Sequence, residues 1–184
     1  DIRRNLVLRL NRDYETIKKS YSKNHFRNLK KSQKLGLQLR NNVLPSTIIA
    51  LFKADRGADL KTYSNSDYEN LLRLFQRASS ESAFISLGVD YNKELICGGF
   101  FMKFKNRITF IFSGNSKKGK DSGALFFLLD SIINMYAKSG FILDFEGSEN
   151  DGLSRFYNGF GASEENYRFL KVNNLPKLLK AFKK

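Results

Sequence analysis

The sequence predicts an α+β (mixed α/β) domain built on one central, mostly antiparallel sheet flanked by helices. An amino-terminal strand and several amphipathic helices come first, followed by three consecutive strand-like segments, a long apolar helix and another buried strand. The chain has 184 residues, 41% of them apolar, which is enough for one core. We therefore expect a single domain over residues 1–184, with a basic strand–helix–helix–strand lead-in at 1–43 and the core at 44–184.

Short-range spacing predicts the elements of the first half. Residues 5–10 alternate as in a short strand, and Tyr14, Ile17 and Tyr21 recur at helical spacing. Ser22 can cap a second helix, which Gly36 ends. The next predicted elements are a strand at 37–43, a helix from Pro45, a polar loop at 56–65 and a helix whose capping box is Ser66-Asp67-Tyr68-Glu69.

The second half begins with strands. They span 83–89, 94–104 and 107–113, and a tight turn at Lys105-Asn106 joins the last two. Gly98-Gly99 in the middle strand indicates a bulge or the close approach of a ligand. A helix over 123–138 is apolar almost all round and leaves only Asp130, Ser131, Asn134 and Lys138 for water. The remaining predictions are a strand at 141–145, a helix at 153–160, a strand at 167–172 and a helix at 175–182.

Positive charge is concentrated near the start of the chain. The formal net charge is +14, which favours a polyanionic partner, and the first forty residues hold twelve basic and three acidic side chains. Spacing of three and four residues places the candidate polyanion-binding residues on one helix face: Lys23, Arg27, Lys30, Lys31 and Lys34. A solvated surface helix and a phosphate-binding ridge both fit this pattern.

Several classes of chemistry are disfavoured. One cysteine, Cys97, excludes an internal disulfide, and together with the single His25 it supplies too few ligands for a zinc centre, so we predict no metal. We expect Cys97 to be inert core and His25 to be a surface residue. No apolar run approaches about 20 residues and the first residues are charged, which predicts neither a membrane span nor a signal peptide, hence a cytoplasmic protein.

A glycine- and lysine-bearing segment, 113–123, lies between a predicted strand and the apolar helix. Glycines let backbone amides approach a phosphate, and a helix start adds partial positive charge. The candidate anion-binding residues are Ser113, Gly114, Asn115, Lys118, Gly119, Lys120 and Gly123. An exposed basic turn is the alternative. A phosphotransferase P-loop is disfavoured because Asp121 stands where Ser or Thr must hold magnesium and an antiparallel hairpin precedes the segment.

The element order and three motifs resemble the GNAT superfamily of N-acyltransferases, and within it the Fem-like branch of peptidoglycan aminoacyltransferases. The first motif is the basic segment 21–36, which contains Arg27-Asn28-Leu29-Lys30-Lys31, and the second is 113–123. The third joins Gly140-Phe141-Ile142-Leu143-Asp144-Phe145-Glu146-Gly147-Ser148 to Arg155-Phe156-Tyr157-Asn158-Gly159-Phe160-Gly161-Ala162. Fem proteins usually contain two such domains, and this chain resembles the second, so the resemblance implies a preceding GNAT-like domain in a longer protein.

The resemblance implies an N-acyltransferase that needs no tightly bound cofactor. Its co-substrate would be acyl-CoA or aminoacyl-tRNA, whose phosphates the segment 113–123 would bind. Its acceptor would be an amine, such as one on a lipid-linked cell-wall precursor at the membrane surface. Arg56 and Tyr68 lie where Fem proteins contact the acceptor's phosphates. Between strands 107–113 and 141–145 the resemblance implies a splay that exposes backbone amides.

Three residues are catalytic candidates: Glu146, Asp144 and Tyr157. The two carboxylates lie on opposite faces of a strand end, so at most one can face a cleft, and we favour Glu146 as the base and Asp144 as an anchor. Tyr157 precedes Gly161 by four residues, the spacing at which coenzyme-dependent GNAT enzymes often place a tyrosine that protonates the leaving thiolate. In tRNA-dependent Fem enzymes this position is commonly Lys. The competing hypothesis is a non-catalytic module that binds RNA or an anionic membrane through the basic helix.

Overall fold

A computed structural model describes residues 1–57, 63–80, 83–146, 149–170 and 172. The strands are β1 (Ile2–Arg3), β2 (Leu6–Arg9), β3 (Gln38–Asn41), β4 (Phe84–Tyr91), β5 (Glu94–Phe104), β6 (Arg107–Asn115), β7 (Ile142–Asp144), β8 (Ser163–Glu164) and β9 (Tyr167–Arg168). The helices are α1 (Tyr14–Lys18), α2 (Lys23–Lys34), α3 (Pro45–Phe52), a π-helical turn at Lys53–Gly57, α4 (Asn65–Ser80), α5 (Lys117–Ser122), α6 (Ala124–Met135) and α7 (Asp151–Asn158).

Seven strands form one sheet in the order β3-β4-β5-β6-β7-β2-β8, and β1 pairs with β9 in a small second sheet. All neighbours are antiparallel except β6 and β7, which run parallel. A parallel pair needs a crossover connection, and here α5 and α6 supply it. The predicted fold class, an α+β domain on a mostly antiparallel sheet with flanking helices, is therefore confirmed.

The two faces of the sheet carry separate cores. On one face α2 and α6 cover a core that includes Leu29, Phe101 and Leu128, while on the other α3 and α4 cover a core around Ile48 and Phe100. Burial of these apolar side chains is the main stabilising contribution to the fold. The sheet is therefore a wall between two helical layers, and a break in it connects both sides.

A row of glycines lets α3 lie close to the sheet. Gly88, Gly98 and Gly114 are direct neighbours on three adjacent strands. A Cβ atom on Gly98 would lie 2.6 Å from Cγ1 of Ile48, and one on Gly114 would collide with the backbone carbonyl of Ile48. The prediction of a bulge at Gly98-Gly99 is wrong, because these glycines make room for helices.

Two polar residues expected in contact with water are buried. Asp130 on α6 accepts hydrogen bonds from the hydroxyls of Tyr14 at 2.8 Å and Tyr21 at 3.0 Å. His25 on α2 is 3% exposed. Its Nδ1 and Nε2 lie 2.8 Å from Ser22 Oγ and from the carbonyl oxygen of Phe156. Both expectations were wrong because hydrogen-bond partners far away in the sequence satisfy these groups.

Other boundaries also differ from the prediction. The segment 113–123 is not one loop, because β6 continues to Asn115 and α5 occupies Lys117–Ser122. The capping box of α4 lies two residues earlier than predicted. Ser64 donates through its backbone N–H to Asp67 Oδ2 at 2.7 Å, and the N–H of Asp67 donates back to Ser64 Oγ at 3.4 Å. The strand predicted at 167–172 is confined to Tyr167–Arg168, and the helix predicted at 175–182 lies outside the described residues.

In the part of the chain that the structure describes, no helix is both long enough and apolar enough to cross a membrane. The same part contains no cluster of three metal-ligating side chains, while Cys97 is fully buried, as expected of a core cysteine.

Candidate active site

The parallel strands β6 and β7 separate soon after they begin. They pair only at residues 107–109 and 142–144, and β6 then runs on to Asn115. Beyond Asp144 the chain turns toward β2 instead, where the N–H of Phe145 donates to the carbonyl of Leu6 at 3.0 Å. From Phe110 onward β6 therefore has no described strand on its β7 side, which gives the sheet a wedge-shaped opening.

A β-bulge lies in β6 where this opening begins. Phe100 pairs with Phe112 and Phe101 pairs with Phe110, so Ile111 is one extra residue on β6. A bulge bends its strand and interrupts the ladder, and bulges are frequent beside active sites. At Ile111 the backbone thus departs from the ladder beside the opening. Backbone N–H groups in such a position can stabilise the oxyanion of an acyl-transfer transition state.

The opening leads into a cavity of about 730 Å³, which we call the large cavity. Such a volume is within the usual range for small-molecule sites. Eight of its fourteen lining residues are aromatic and two, Asp67 and Glu146, are acidic. The lining residues are Phe52, Tyr63, Asp67, Tyr68, Leu71, Phe110, Ile111, Phe112, Ser113, Phe145, Glu146, Leu153, Tyr157 and Tyr167. They come from α3, α4, β6, α7, β9 and the connecting segments.

Tyr157 is held in the wall of the large cavity by α7. Asn150 caps this helix, since its Oδ1 accepts from the N–H groups of Gly152 and Leu153 at 2.9 and 3.1 Å. The ring of Tyr157 stacks on Phe145 with the centroids 4.5 Å apart. Burial raises the pKa of Tyr157 to about 12, because the phenolate would lose its hydration. The group is therefore protonated at neutral pH.

The structure separates the two candidate carboxylates. Asp144 is buried and accepts hydrogen bonds from Asn5 Nδ2 at 2.8 Å, Arg107 Nη1 at 2.6 Å and the N–H of Glu146 at 3.0 Å. It does not line the large cavity, whereas the exposed Glu146 does. Glu146 has a φ of 44°, so the backbone turns sharply where β7 ends. The geometry gives Asp144 an anchoring position and Glu146 access to a substrate.

A second, small cavity of about 170 Å³ lies beside α5 and α6. Its lining residues are Asn115, Gly119, Lys120, Gly123, Leu125, Phe126 and Phe156. The Oδ1 atom of Asn115 is buried without a hydrogen-bond partner among the described residues. This atom lies against Gly119, where a Cβ would collide with it, so the glycine lets α5 pack on Asn115.

The seven residues predicted to bind phosphate do not all come together. The small cavity collects Asn115, Gly119, Lys120 and Gly123, while Ser113 lines the large cavity. Gly114 lies against α3 and lines neither cavity. Two of the lysines are already paired, Lys118 with Glu94 at 2.6 Å and Lys120 with Asp55.

The basic ridge of α2 is exposed, and the opposite face of the same helix borders the small cavity. Its members are Lys23, Arg27, Lys30, Lys31 and Lys34, and none forms an ion pair with a carboxylate of the described residues. The buried His25 lies edge-on to Phe126, with the ring centroids 4.9 Å apart, and it also contacts Phe156. Both phenylalanines line the small cavity. The buried face of α2 therefore borders the small cavity, while the ridge lies on the opposite, exposed face of the same helix.

Of the two residues predicted to contact the acceptor's phosphates, Arg56 and Tyr68, the structure describes only the side chain of Tyr68. Tyr68 lies in the wall of the large cavity, with the Nζ of Lys53 4.4 Å from its ring centroid. The backbone of Arg56 is in the turn Lys53–Gly57, but its side chain lies outside the described part of the structure. Sequence reasoning missed the aromatic wall and the bulge at Ile111, because no local pattern marks where β6 loses its partner.

Solved structures share this architecture at low sequence identity. No protein-family model matches the sequence, and no curated protein matches it. FemX is 9% identical, with a TM-score of 0.74 over 88% of this chain and 59% of FemX. A conserved protein of unknown function from Bacteroides thetaiotaomicron VPI-5482 is 10% identical, with a TM-score of 0.65 over 91% of this chain and 60% of that one.

A third similar structure is a shorter enzyme. It is an aminoglycoside acetyltransferase from an uncultured soil metagenomic sample, in complex with sisomicin. It is 17% identical, with a TM-score of 0.53 over 75% of this chain and 97% of the acetyltransferase. The chain spans about 60% of the length of the two longer proteins. These likenesses confirm the fold that the resemblance implied: the chain has the GNAT acyltransferase fold in the form found in FemX.

Proposed function

We propose that the protein is an N-acyltransferase that moves an acyl or aminoacyl group from acyl-CoA or aminoacyl-tRNA to an amine. The observation that carries this proposal is the opening between β6 and β7 at the bulge of Ile111. It leaves backbone amides free to meet a reacting carbonyl and brings Glu146 and Tyr157 to the same cavity. Similarity of the fold to FemX and to an aminoglycoside acetyltransferase supports the reaction class.

The donor would approach from the side of the small cavity. Lys120 and the backbone of Gly119 and Gly123 line this cavity, and the ridge is on the exposed face of α2, the helix whose buried face borders the cavity. Both proposed donors carry several phosphates, and unpaired cations attract such groups and release counterions when they bind. The acyl end would then reach the opening between the strands.

The chemistry requires no nucleophilic side chain of the protein. The neutral amine attacks the acyl carbonyl, a C–N bond forms, and the bond from the carbonyl carbon to the sulfur or oxygen of the donor breaks. Backbone N–H groups of β6 stabilise the oxyanion, and Glu146 accepts the proton of the amine. Tyr157, with a pKa of about 12, gives its proton to the leaving group and regains one afterwards.

Thermal-shift titration tests the donor directly. A ligand that binds only the folded state stabilises it by RT ln(1 + [L]/Kd), so the unfolding temperature rises with the logarithm of the ligand concentration above Kd. We expect acetyl-CoA or aminoacylated tRNA to stabilise the protein and Lys120→Ala to weaken that effect. Lys118→Ala is the matched control, since Lys118 has its ion pair with Glu94 and lies outside both cavities. Absence of stabilisation by either donor would contradict the proposal.

The basic ridge supports a second candidate, a non-catalytic module that binds RNA or an anionic membrane. Its specific support is the set of five exposed cations on α2 that lack acidic partners in the described structure. This candidate predicts steeply salt-dependent binding of RNA or of vesicles containing anionic lipid. It also predicts that Glu146→Gln and Tyr157→Phe leave every measured property unchanged, which the transferase proposal does not.

The larger assembly is also part of the proposal. The chain spans about 60% of the length of FemX, and we propose that a preceding GNAT-like domain completes the protein. We further propose that a cell-wall precursor carries the acceptor amine, because the sequence resembles the Fem-like branch of peptidoglycan aminoacyltransferases. We propose that the reaction takes place in the cytoplasm. Expression of the full-length protein and limited proteolysis would show whether a second domain is released as a stable fragment.

A further inference from the structure

The large cavity differs in charge from the chain that forms it. The protein has 32 basic residues and a net charge of +14, yet none of the fourteen lining residues is basic and two are acidic. A cavity that receives a phosphate or carboxylate normally presents Arg, Lys or a helix N-terminus to it. No described lining residue is basic, and the neighbouring Lys53 has its ammonium on the ring of Tyr68 and bonded to Asn65 Oδ1 at 3.1 Å. The described lining therefore favours a neutral or cationic group over an anionic one.

Asp67 is an acidic residue that lines this cavity and caps α4. Its Oδ2 accepts hydrogen bonds from the backbone N–H and the hydroxyl of Ser64, both at 2.7 Å. These bonds lower the pKa of Asp67 below its ordinary value, because they stabilise the carboxylate. Glu146 supplies the second acidic group at the end of β7. Both groups favour a cation between the aromatic walls.

The walls themselves favour an apolar or flat group that carries a cation. Tyr63, Tyr68 and Tyr167 present ring surfaces, and the face of an aromatic ring attracts ammonium groups. The ring of Tyr68 already receives one in the protein, since the ammonium of Lys53 lies 4.4 Å from its centroid. Phe52, Phe112 and Phe145 add apolar surface that hydrocarbon or a sugar ring can cover.

We infer that the large cavity binds an acceptor whose reacting end is a cationic primary amine joined directly to an aromatic or other apolar group, without phosphate or carboxylate within the cavity. This inference rests on the proposed function, because it identifies the large cavity as the acceptor site of a transferase. The ammonium is held by Asp67 and the aromatic faces. It gives up a proton near Glu146 before the neutral nitrogen attacks the donor carbonyl.

Calorimetric titration with a matched pair of amines tests this inference without turnover. The pair is tyramine and its O-phosphate ester, which differ only in the phosphate. We expect tyramine to bind and the phosphate ester to bind at least about tenfold more weakly, since the described wall has no basic partner for the phosphate. Asp67→Asn keeps a hydrogen-bond acceptor for the cap of α4 and removes the negative charge. It should therefore lower the affinity for tyramine by about three- to tenfold.

Glu69→Gln is the control variant. Glu69 lies on the same helix, is exposed, pairs with Arg73 and does not line the cavity, so its loss should leave tyramine binding unchanged. Equal or tighter binding of the phosphate ester would overturn the inference, as would an equal effect of Asp67→Asn and Glu69→Gln. Failure of both amines in a protein that still binds acetyl-CoA or aminoacylated tRNA would overturn the inference alone. Failure of the donors as well would overturn the proposed function.

Discussion

The two cavities beside the opening in the sheet differ in size, charge and wall. The large cavity of about 730 Å³ is aromatic, carries two carboxylates and has no basic lining residue among those described. The small cavity of about 170 Å³ includes Lys120, backbone of two glycines and a buried oxygen without a partner. The exposed cations of α2 lie on the outer face of the helix whose buried face borders the small cavity. We propose that the two regions serve ligands of opposite charge.

This arrangement is suited to a transfer between two substrates. A polyanionic donor and a cationic acceptor would be attracted to different cavities. They would meet only where β6 and β7 have separated. Variants that act on one region and not on the other can therefore show whether the two cavities have separate roles.

Glu146→Gln is expected to have the largest effect. If Glu146 is the base of the large cavity, its loss lowers kcat/KM by about 10²- to 10⁴-fold, the usual contribution of a general base. Donor binding, which belongs to the small cavity, should not change. Steady-state kinetics and donor titration measure the two quantities separately. Glu164→Gln, an exposed residue of β8 outside both cavities, is the control, and a fully active Glu146→Gln would remove the assignment.

Tyr157→Phe should lower kcat by about 10- to 100-fold and leave KM nearly unchanged, because the proton is needed only as the leaving group departs. Since the pKa of Tyr157 is about 12, its protonation should not limit the rate below about pH 10. Pre-steady-state and pH-dependent kinetics with acetyl-CoA check both points. Tyr136→Phe is matched, because Tyr136 is half-buried against Phe141 and lines neither cavity. Equal losses in the two variants would indicate a structural effect.

Neutralising the ridge should affect the donor alone. A triple variant with Arg27→Gln, Lys30→Gln and Lys34→Gln should lower the affinity for the donor by about tenfold at low salt. The loss should be smaller at high salt, since each phosphate contact adds to the salt dependence. The KM of the amine should stay the same. A variant with Lys93→Gln, Lys105→Gln and Lys138→Gln removes equal charge from exposed positions away from α2. If this control variant lowers the affinity for the donor as much as the first, the net charge of the protein rather than the ridge attracts the donor.

Protonation of His25 should produce the smallest effect, on stability. Burial lowers the pKa of His25 below 6.5, so the unfolded chain binds a proton that the folded chain rejects. Stability is thus fully present above pH 6.5 and falls as the pH drops toward the folded pKa, by at most about 1.4 kcal/mol per pH unit. Denaturant unfolding between pH 7 and 5 measures this slope. His25→Gln should flatten it, and an unchanged slope would assign the loss to other groups.

Local patterns predicted much of the fold. The cap of α2 at Ser22, the left-handed Gly36 beyond its end, the hairpin at Lys105-Asn106 and the apolar α6 are confirmed. Each depends on residues within a few positions of one another, where spacing and capping act directly. Glu146 lines the large cavity and Asp144 is bonded to Arg107, as expected of a base and an anchor. Their roles in catalysis remain predictions.

The rest depended on contacts between distant segments. Asp130 is buried because Tyr14 and Tyr21 reach it from α1 and the turn that follows, and no pattern within α6 announces this. Gly114 looked like part of an anion cradle, but its neighbour is the backbone of α3, more than 60 residues earlier in the chain. The bulge at Ile111 is visible only as a shift in register between β5 and β6. Such features follow from topology rather than composition.

Amide hydrogen exchange with and without acetyl-CoA or aminoacylated tRNA tests the central claim most directly. We predict that the amides of residues 110–113 that face the opening rather than β5 exchange quickly in the free protein and become protected by one of these donors, together with 119–125. Protection confined to α2, or unchanged exchange at 110–113 with either donor bound, would contradict the claim that the opening in the sheet holds the reacting group.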